Sequence, residues 1–286
     1  MYGYIAITRP VNAIVAGLAG VLGYLIATGT VVPESAVLIG IIGLITAAGN
    51  TINDYYDAAI DAVNRPDRPI PSGAVSERGA LLWAGALFLG GILLALPTNP
   101  LCWGIAAVNS ILLVLYAARL KATPFLGNLT VAYLSASIFL FGGALVGIDG
   151  LTANLPVAGV TLLAMLAREI LKDAEDIEGD RAGGARTLPM IVGVEWSIIL
   201  AFAFALAAAV LSMLPVFRWW GLPYLVAIGA LNLAVLVRSL RVRGCTLPAC
   251  VRASGVTTTL KSGMFLSLVI FTAAALLSET FYGAGA

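Results

Sequence analysis

Long runs of hydrophobic residues dominate this chain, and its polar residues are gathered in the short segments between the runs. A helix needs about 20 mostly apolar residues to cross the hydrocarbon core of a bilayer. Nine runs meet this length, which predicts an all-α polytopic membrane protein, a bundle of nine transmembrane helices forming one domain over residues 1–286. The predicted spans are residues 9–28, 34–56, 79–97, 99–117, 125–147, 152–174, 189–213, 217–238 and 256–280.

The composition agrees with a lipid environment. Hydrophobic residues make up 60% of the chain, charged residues make up 11%, and the mean hydropathy is +0.99. Soluble domains carry about 25% charged residues. Small residues inside the first two spans predict close contacts between helices; they are Gly17, Gly20, Gly23, Gly40 and Gly43.

Basic residues fall almost entirely on one side of the predicted membrane. When nine spans alternate, fifteen of the sixteen Lys and Arg residues lie on the side of the N-terminus, and only Arg218 lies on the other side. Basic residues accumulate on the cytoplasmic side of membrane proteins. We therefore expect a cell-membrane protein whose N-terminus and functional face are cytoplasmic. A net charge of +1 gives no general attraction to nucleic acid.

Two segments at cytoplasmic span ends carry the same aspartate spacing, D-x-x-D-x-x-x-D. Residues three and seven apart share one face of a helix, so each segment predicts an acidic stripe that continues a membrane helix. The first stripe is Asp54, Asp57 and Asp61, flanked by Asn53, and the second stripe is Asp173, Asp176 and Asp180.

The acidic stripes suggest metal binding, because three carboxylates on one helix face repel one another unless cations neutralise them. Mg²⁺ usually takes one or two carboxylates together with phosphate oxygens and water. We expect both stripes and Asn53 to be metal ligands, with two Mg²⁺ ions and a bridging diphosphate if the stripes face each other. The alternatives are solvated acidic helix ends and an ion pathway. The middles of the spans carry almost no charge, which disfavours the pathway.

Basic and polar side chains follow or separate the acidic stripes. Arg65 and Arg68 lie in the segment N-R-P-D-R-P-I-P, whose prolines end the helix and stiffen the loop. Tyr116 and Lys121 lie at the middle cytoplasmic loop. Such groups stabilise a diphosphate leaving group, so we expect all four to bind it. The predicted catalytic set is Asp57, Asp61, Tyr116, Lys121, Asp176 and Asp180.

Further polar residues near the cytoplasmic span ends are candidates for binding the substrate or its acceptor. Each has the alternative interpretation of a residue at the membrane interface or a marker of topology. These candidates are Arg9, Asn12, Asn50, Asn128, Lys172, Arg186 and Lys261.

Several kinds of chemistry are excluded by composition. The chain has no histidine, which excludes histidine–zinc sites, haem ligation by histidine and serine–histidine triads. Cys245 and Cys250 lack metal-ligand spacing, and with Cys102 they are interpreted as small apolar residues.

At these motifs the chain resembles the UbiA superfamily of intramembrane prenyltransferases. The first family motif, N-D-x-x-D-x-x-x-D, matches residues 53–61, and the second, D-x-x-D-x-x-x-D, matches residues 173–180. The Tyr-x-x-x-x-Lys of the family's middle loop matches Tyr116 and Lys121. The resemblance covers nearly the whole chain and implies Mg²⁺-dependent transfer of a prenyl group from its diphosphate.

Within the superfamily, residues 64–73 and 168–189 are most similar to the archaeal digeranylgeranylglyceryl phosphate synthases. That resemblance implies geranylgeranyl diphosphate as donor and geranylgeranylglyceryl phosphate, a lipid-like phosphorylated acceptor, in a site surrounded by membrane lipid. An aromatic acceptor of a quinone or chlorophyll-type pathway is an alternative, because the chlorophyll synthase branch shares a similar first motif. The residues also leave open a phosphatase that acts on polyprenyl diphosphates and a cation transporter.

Overall fold

The structure is a computed structural model that describes residues 2–214 and 220–282, with side chains up to residue 277. Every regular element within these residues is helical. The first three residues of the span predicted at 217–238, which include Arg218, lie outside the described residues. The described α-helices, α1 to α15 in chain order, are Tyr2–Ile7, Pro10–Thr28, Val37–Tyr56, Ala58–Asn64, Glu77–Ala95, Pro100–Ala118, Leu126–Ala144, Ile148–Ala153, Leu155–Glu175, Ile177–Ala182, Leu188–Val192, Val194–Leu211, Gly221–Ser239, Pro248–Ser254 and Val256–Tyr282.

Eight helices in the described part of the chain are long and apolar enough to cross a membrane, which confirms a multi-pass membrane protein. The span predicted at 152–174 is not confirmed. That segment is helical as α9, but its last turns carry Arg168, Glu169, Lys172 and Asp173, and these charges make it too polar for a span of this kind. The eight spans are Pro10–Thr28, Pro33–Tyr56, Glu77–Ala95, Pro100–Ala118, Leu126–Ala144, Val194–Leu211, Gly221–Val242 and Val256–Leu277.

The chain forms two compact units, and the predicted single domain stays a prediction. The first unit comprises the chain up to Leu120 together with Ser137–Asn154. Helix α3 is its centre and packs against α2, α5 and α6. Four buried residues of α3 in one apolar cluster follow the spacing of one helix face; they are Leu38, Ile41, Ile42 and Ile45.

The second unit comprises Lys121–Ala136 and the chain from Leu155 onward. Helix α9 is its centre and packs against α12, α14 and α15. Four of its buried residues lie in one apolar cluster and repeat the spacing found on α3; they are Ala167, Ile170, Leu171 and Ala174. Each aspartate motif therefore begins on the most central helix of its own unit, where apolar packing fixes the helix that presents it.

Glycines allow close contacts between helices of the first unit, as predicted. A Cβ atom at Gly20 would lie 2.2 Å from Ile42 Cδ1 on α3, and one at Gly23 would lie 2.5 Å from the Phe139 carbonyl oxygen on α7. Side chains at these positions would push the helices apart.

Both helices that carry the aspartates are interrupted at the middle aspartate. Helix α3 ends one residue before Asp57 and α4 begins one residue after it, and Asp176 divides α9 from α10 in the same way. Asp57 has ψ of −1° and Asp176 has ψ of 14°, values that turn the chain away from ideal helical geometry. The prediction of one continuous helix through each motif is therefore wrong.

The helical hydrogen bonds nevertheless continue through both interruptions. The backbone N–H of Asp61 donates to the Asp57 carbonyl at 2.8 Å, and that of Asp180 donates to the Asp176 carbonyl at 2.9 Å. The third aspartate of each motif thus lies on a short helix, α4 or α10, that follows the interruption.

The interpretation of all three cysteines as apolar residues is wrong for two of them. Cys245 and Cys250 form a disulfide with a Cα–Cα distance of 5.5 Å, because the turn between α13 and α14 brings these near neighbours together. Cys102 is a free, buried thiol, as the composition predicts.

Candidate active site

The first motif is organised around the carboxylate of Asp54, whose side chain is only 5% exposed. Its Oδ1 atom accepts a hydrogen bond from Arg9 Nη2 at 2.5 Å and another from Arg68 Nη1 at 3.2 Å. Arg68 Nη1 also donates to Asp61. These four side chains form a balanced network of two guanidinium groups and two carboxylates, which removes much of the repulsion expected within the acidic stripe.

Arg9 reaches Asp54 from a strained turn between α1 and α2. Its φ is 50° and its ψ is 66°, the left-handed region that costs a non-glycine residue about 1–2 kcal/mol. Asn50 Nδ2 donates to the Thr8 carbonyl at 3.0 Å. Asn50 and Asp54 are four residues apart on one face of α3, so this face fixes the turn at two points and offsets its strain.

Asp57 lies at the interruption of the helix and is only partly buried. Asn53 Nδ2 donates to Asp57 Oδ2 at 2.8 Å, which orients this carboxylate. Two of the predicted metal ligands of the first motif, Asn53 and Asp57, are therefore adjacent, whereas Asp54 and Asp61 are engaged by arginines.

The proline-rich loop after the first motif is packed against its unit. Ile70 and Val75 are buried in a cluster with Ile7 and Ala80. This anchoring keeps Arg68 over Asp54 and Asp61, while Arg65 lies exposed at the start of the loop.

The second motif begins with Asp173, close to the end of α9. Asn128 Nδ2, from the buried start of α7, donates to Asp173 Oδ2 at 2.8 Å. The structure thus brings together two predicted site residues that are 45 positions apart in the sequence. The amide fixes one carboxylate oxygen and leaves the other to accept a second ligand.

Asp176 and Asp180 are the residues of the second motif best suited to a divalent cation. Asp180 Oδ2 is buried and has no hydrogen-bond partner among the described residues. Burial, followed by the negative charge of Asp176, raises the pKa of Asp180 to about 6, against the opposing charge of Lys172. A buried, orphaned carboxylate oxygen beside a second carboxylate fits a magnesium site, because a cation would stabilise both charges.

No three acidic or cysteine side chains in the described parts of the chain lie together as a ready-made metal cluster. Mg²⁺ does not need such a cluster, because it retains waters and takes phosphate oxygens as ligands alongside one or two carboxylates. The donor sets of Asp57 and of Asp176 with Asp180 fit an ion of this kind.

Arg252 is a neighbour of the second motif that the sequence suggested only as a topology marker. Its Nη2 donates to the Glu175 carbonyl at 2.6 Å and lies 3.6 Å from Asp176 Oδ1. Thr257 Oγ1 donates to the Glu175 carboxylate at 2.9 Å. Arg252 is 63% exposed as a side chain, so it also faces solvent. Its separation of 77 residues from Glu175 leaves no local signal in the sequence.

The turn that carries Lys121 lies beside the loop after the second motif. The Arg186 N–H donates to the Ala122 carbonyl at 3.0 Å, which joins two segments predicted to bind phosphate groups. Lys121 is half-buried and Arg186 is exposed.

The remaining predicted residues are found at helix ends or along helices. Asn12 is exposed in the first turn of α2, and Tyr116 is half-buried near the end of α6. Lys172 and Lys261 are exposed on α9 and α15. Their positions agree with either substrate binding or an interface role, so their assignment to the site stays a prediction.

The chain matches known proteins over almost its full length. The model of the UbiA prenyltransferase family matches residues 13–269. A digeranylgeranylglyceryl phosphate synthase of Methanoregula boonei is 58% identical over 273 residues, which cover 96% of this chain and 98% of that relative. The corresponding protein of Methanoculleus marisnigri is 56% identical, with coverage of 96% and 98%.

Solved structures show the same fold. A digeranylgeranylglyceryl phosphate synthase structure is 31% identical, has a TM-score of 0.83, and is matched over 96% of this chain and 98% of its own. A UbiA homologue from Archaeoglobus fulgidus, bound to GPP and Mg²⁺, is 18% identical with a TM-score of 0.70 and coverage of 94% and 99%; at this identity it shows the fold alone. By sequence and fold together, this chain belongs to the UbiA prenyltransferase family and is a prenyltransferase of the membrane.

Proposed function

We propose that this enzyme transfers the geranylgeranyl group of geranylgeranyl diphosphate to geranylgeranylglyceryl phosphate and so forms the second ether bond of archaeal membrane lipids. The observation that carries the proposal is the 58% identity, over 96% of this chain, to a relative named digeranylgeranylglyceryl phosphate synthase. The paired aspartate motifs support it, because they supply the carboxylates that a magnesium–diphosphate substrate requires.

The proposed magnesium-holding residues are Asp57, Asp61, Asp176 and Asp180. Bound Mg²⁺ supplies charge neutralisation for the departing diphosphate. Asn53 orients Asp57, and Asp180 contributes a carboxylate oxygen with no protein partner among the described residues. Asp61 gives one oxygen to Arg68 and has the other for a second ligand.

The reaction breaks the bond between the allylic carbon and the diphosphate oxygen and forms a carbon–oxygen bond to the acceptor hydroxyl. Tyr116 and Lys121 stabilise the negative charge that gathers on the leaving diphosphate. A carboxylate of the second motif accepts the hydroxyl proton. A position next to the apolar part of the membrane would keep water away from the electron-deficient allylic carbon and so favour transfer over hydrolysis.

The phosphate of the acceptor calls for cationic side chains in addition to those that bind the diphosphate. Arg186 and Lys172 flank the second motif and are exposed, as is Arg252 next to Asp176. We propose that these groups contribute positive charge near the acceptor phosphate. The distribution of basic residues along the sequence supports a cytoplasmic position for the site.

The acceptor is tested by incubating purified protein with labelled geranylgeranyl diphosphate, Mg²⁺ and one of three acceptors. We expect rapid transfer to geranylgeranylglyceryl phosphate. Transfer to the same lipid without its phosphate should be at least about tenfold slower, because the cationic side chains lose their charged partner. Preferred transfer to a hydroxybenzoate-type acceptor would overturn the proposal in favour of an aromatic acceptor.

A further inference from the structure

The carboxylate of Asp54 is held by two arginines in a buried network. One oxygen, Oδ1, accepts from both Arg9 and Arg68. The carboxylate is more buried than either arginine, since its side chain is 5% exposed whereas those of Arg9 and Arg68 are 35% and 20% exposed. The acid is thus at the base of the network, and the guanidinium groups lie between it and solvent.

This environment is unsuited to a magnesium ligand. Mg²⁺ requires open octahedral positions for waters and phosphate oxygens. Two guanidinium groups occupy the approach to Asp54 Oδ1, whereas Asp61 accepts from the single guanidinium of Arg68. The two positive charges would also repel a divalent ion at Asp54 Oδ1. At Asp57, a neutral amide, that of Asn53, donates to Oδ2.

The network also brings two like-charged side chains closer than they would otherwise remain. Arg9 and Arg68 both lie within hydrogen-bonding reach of the same oxygen atom. Each guanidinium has five N–H donors in a rigid fork, and the contacts to Asp54 and Asp61 use only a part of them. Two adjacent guanidinium groups whose other N–H donors do not contact these carboxylates can bind a phosphate or diphosphate group.

The turn that presents Arg9 is fixed by the same helix face. Asn50 holds the Thr8 carbonyl and Asp54 holds the Arg9 side chain, so the left-handed backbone at Arg9 is determined from α3. Arg68 is positioned by a different segment, the proline-rich loop that is anchored by its buried apolar residues. Two separate segments of the chain therefore converge on one carboxylate.

We infer that Asp54 is a positioning residue, not a magnesium ligand: it holds Arg9 and Arg68 together as a paired receptor for a phosphate group of a substrate. The inference rests on the proposed function for the identity of that substrate. The phosphate group belongs either to the prenyl diphosphate or to the phosphorylated acceptor, and steady-state kinetics with each substrate varied in turn separates these two sources.

The test compares Asp54→Asn with Asp57→Asn in steady-state kinetics. Both variants keep the size of the side chain and remove its charge. For Asp54→Asn we expect the KM of one phosphate-bearing substrate to rise about tenfold or more, as for a lost charge-assisted contact, while the Mg²⁺ concentration for half-maximal activity stays within about twofold of the wild type. Asp57→Asn should shift that Mg²⁺ concentration by about tenfold or more.

The substrate whose KM rises identifies the bound phosphate group. The exposed Asp67 lies in the loop that follows the first motif, and Asp67→Asn is the matched control that should leave both KM values and the Mg²⁺ requirement unchanged. The inference is overturned if Asp54→Asn shifts the Mg²⁺ requirement as Asp57→Asn does. It is also overturned if Asp54→Asn changes only kcat, or changes none of the constants.

Arg9→Gln keeps the test decisive if Asp54→Asn does not fold. It should raise the same KM with Asp54 intact. The double variant of Arg9→Gln and Asp54→Asn should have a KM no higher than that of the more impaired single variant, because both substitutions disrupt the same network. A wild-type KM in Arg9→Gln would overturn the inference. If the wild-type protein transfers no prenyl group, the proposed function fails, and binding of inorganic diphosphate to the same variants then tests the receptor by itself.

Discussion

Replacing Asp180 by asparagine is expected to reduce prenyl transfer about a thousandfold or more, which corresponds to roughly 4 kcal/mol of transition-state stabilisation. The carboxylate has a buried oxygen with no partner among the described residues, next to the charge of Asp176. We attribute that oxygen to magnesium. An asparagine side chain has nearly the same size but neither the charge nor the second carboxylate oxygen, so the cation and the leaving diphosphate lose their stabilisation.

The measurement is the single-turnover rate of transfer at saturating Mg²⁺, with thermal stability in detergent as a check of folding. Glu178→Gln is the matched control, because Glu178 is exposed on the same short helix and should leave the rate unchanged. Without Mg²⁺, Asp180→Asn should melt at a slightly higher temperature than the wild type, since removing one of two adjacent like charges relieves repulsion. A near-normal rate in Asp180→Asn would exclude the second motif from metal binding.

Replacing Asp57 by alanine is expected to abolish Mg²⁺-dependent transfer in the same way, with a loss of about a thousandfold. Asp57 lies at the interruption between α3 and α4 and is oriented by Asn53. Its removal should leave the arginine network around Asp54 intact, so the protein should still insert and purify normally. Transfer is measured over a wide range of Mg²⁺ concentrations.

Two comparisons make the Asp57 result specific. Asp67→Ala removes an exposed acid of the same unit and should retain wild-type transfer. Asn53→Ala removes the amide that orients Asp57 and should give an intermediate loss. Retention of near-normal turnover by Asp57→Ala at low Mg²⁺ would contradict the assignment of the first motif.

The membrane architecture was largely predictable because hydrophobicity is a property of consecutive residues. Eight predicted spans correspond to helices of suitable length and composition. The segment at 152–174 differs because its apolar first part runs directly into Arg168, Glu169 and Lys172 on the same helix. On α3 and α9, buried residues three and four apart face the core, which is the periodicity expected of a packed helix.

The site was predictable in its residue types and not in its contacts. The spacing of the aspartates indicated a common helix face, but local backbone rotation at Asp57 and Asp176 interrupts each helix while its hydrogen bonds continue, and composition carries no signal for such a turn. Arg9 and Arg252 contact acids that are distant in the sequence. A basic residue near a membrane end looks the same whether it marks topology or binds an acid.

The central claim is that this chain couples magnesium-dependent loss of diphosphate to formation of an ether bond. It is tested most directly by quantifying ether product and released inorganic diphosphate in the same reaction of the purified wild-type protein. With geranylgeranyl diphosphate, geranylgeranylglyceryl phosphate and Mg²⁺, the two should appear in equal amounts, and neither should appear when the acceptor is omitted or the metal is chelated. Release of phosphate or diphosphate without acceptor, or ether formation with the metal chelated, would contradict the claim.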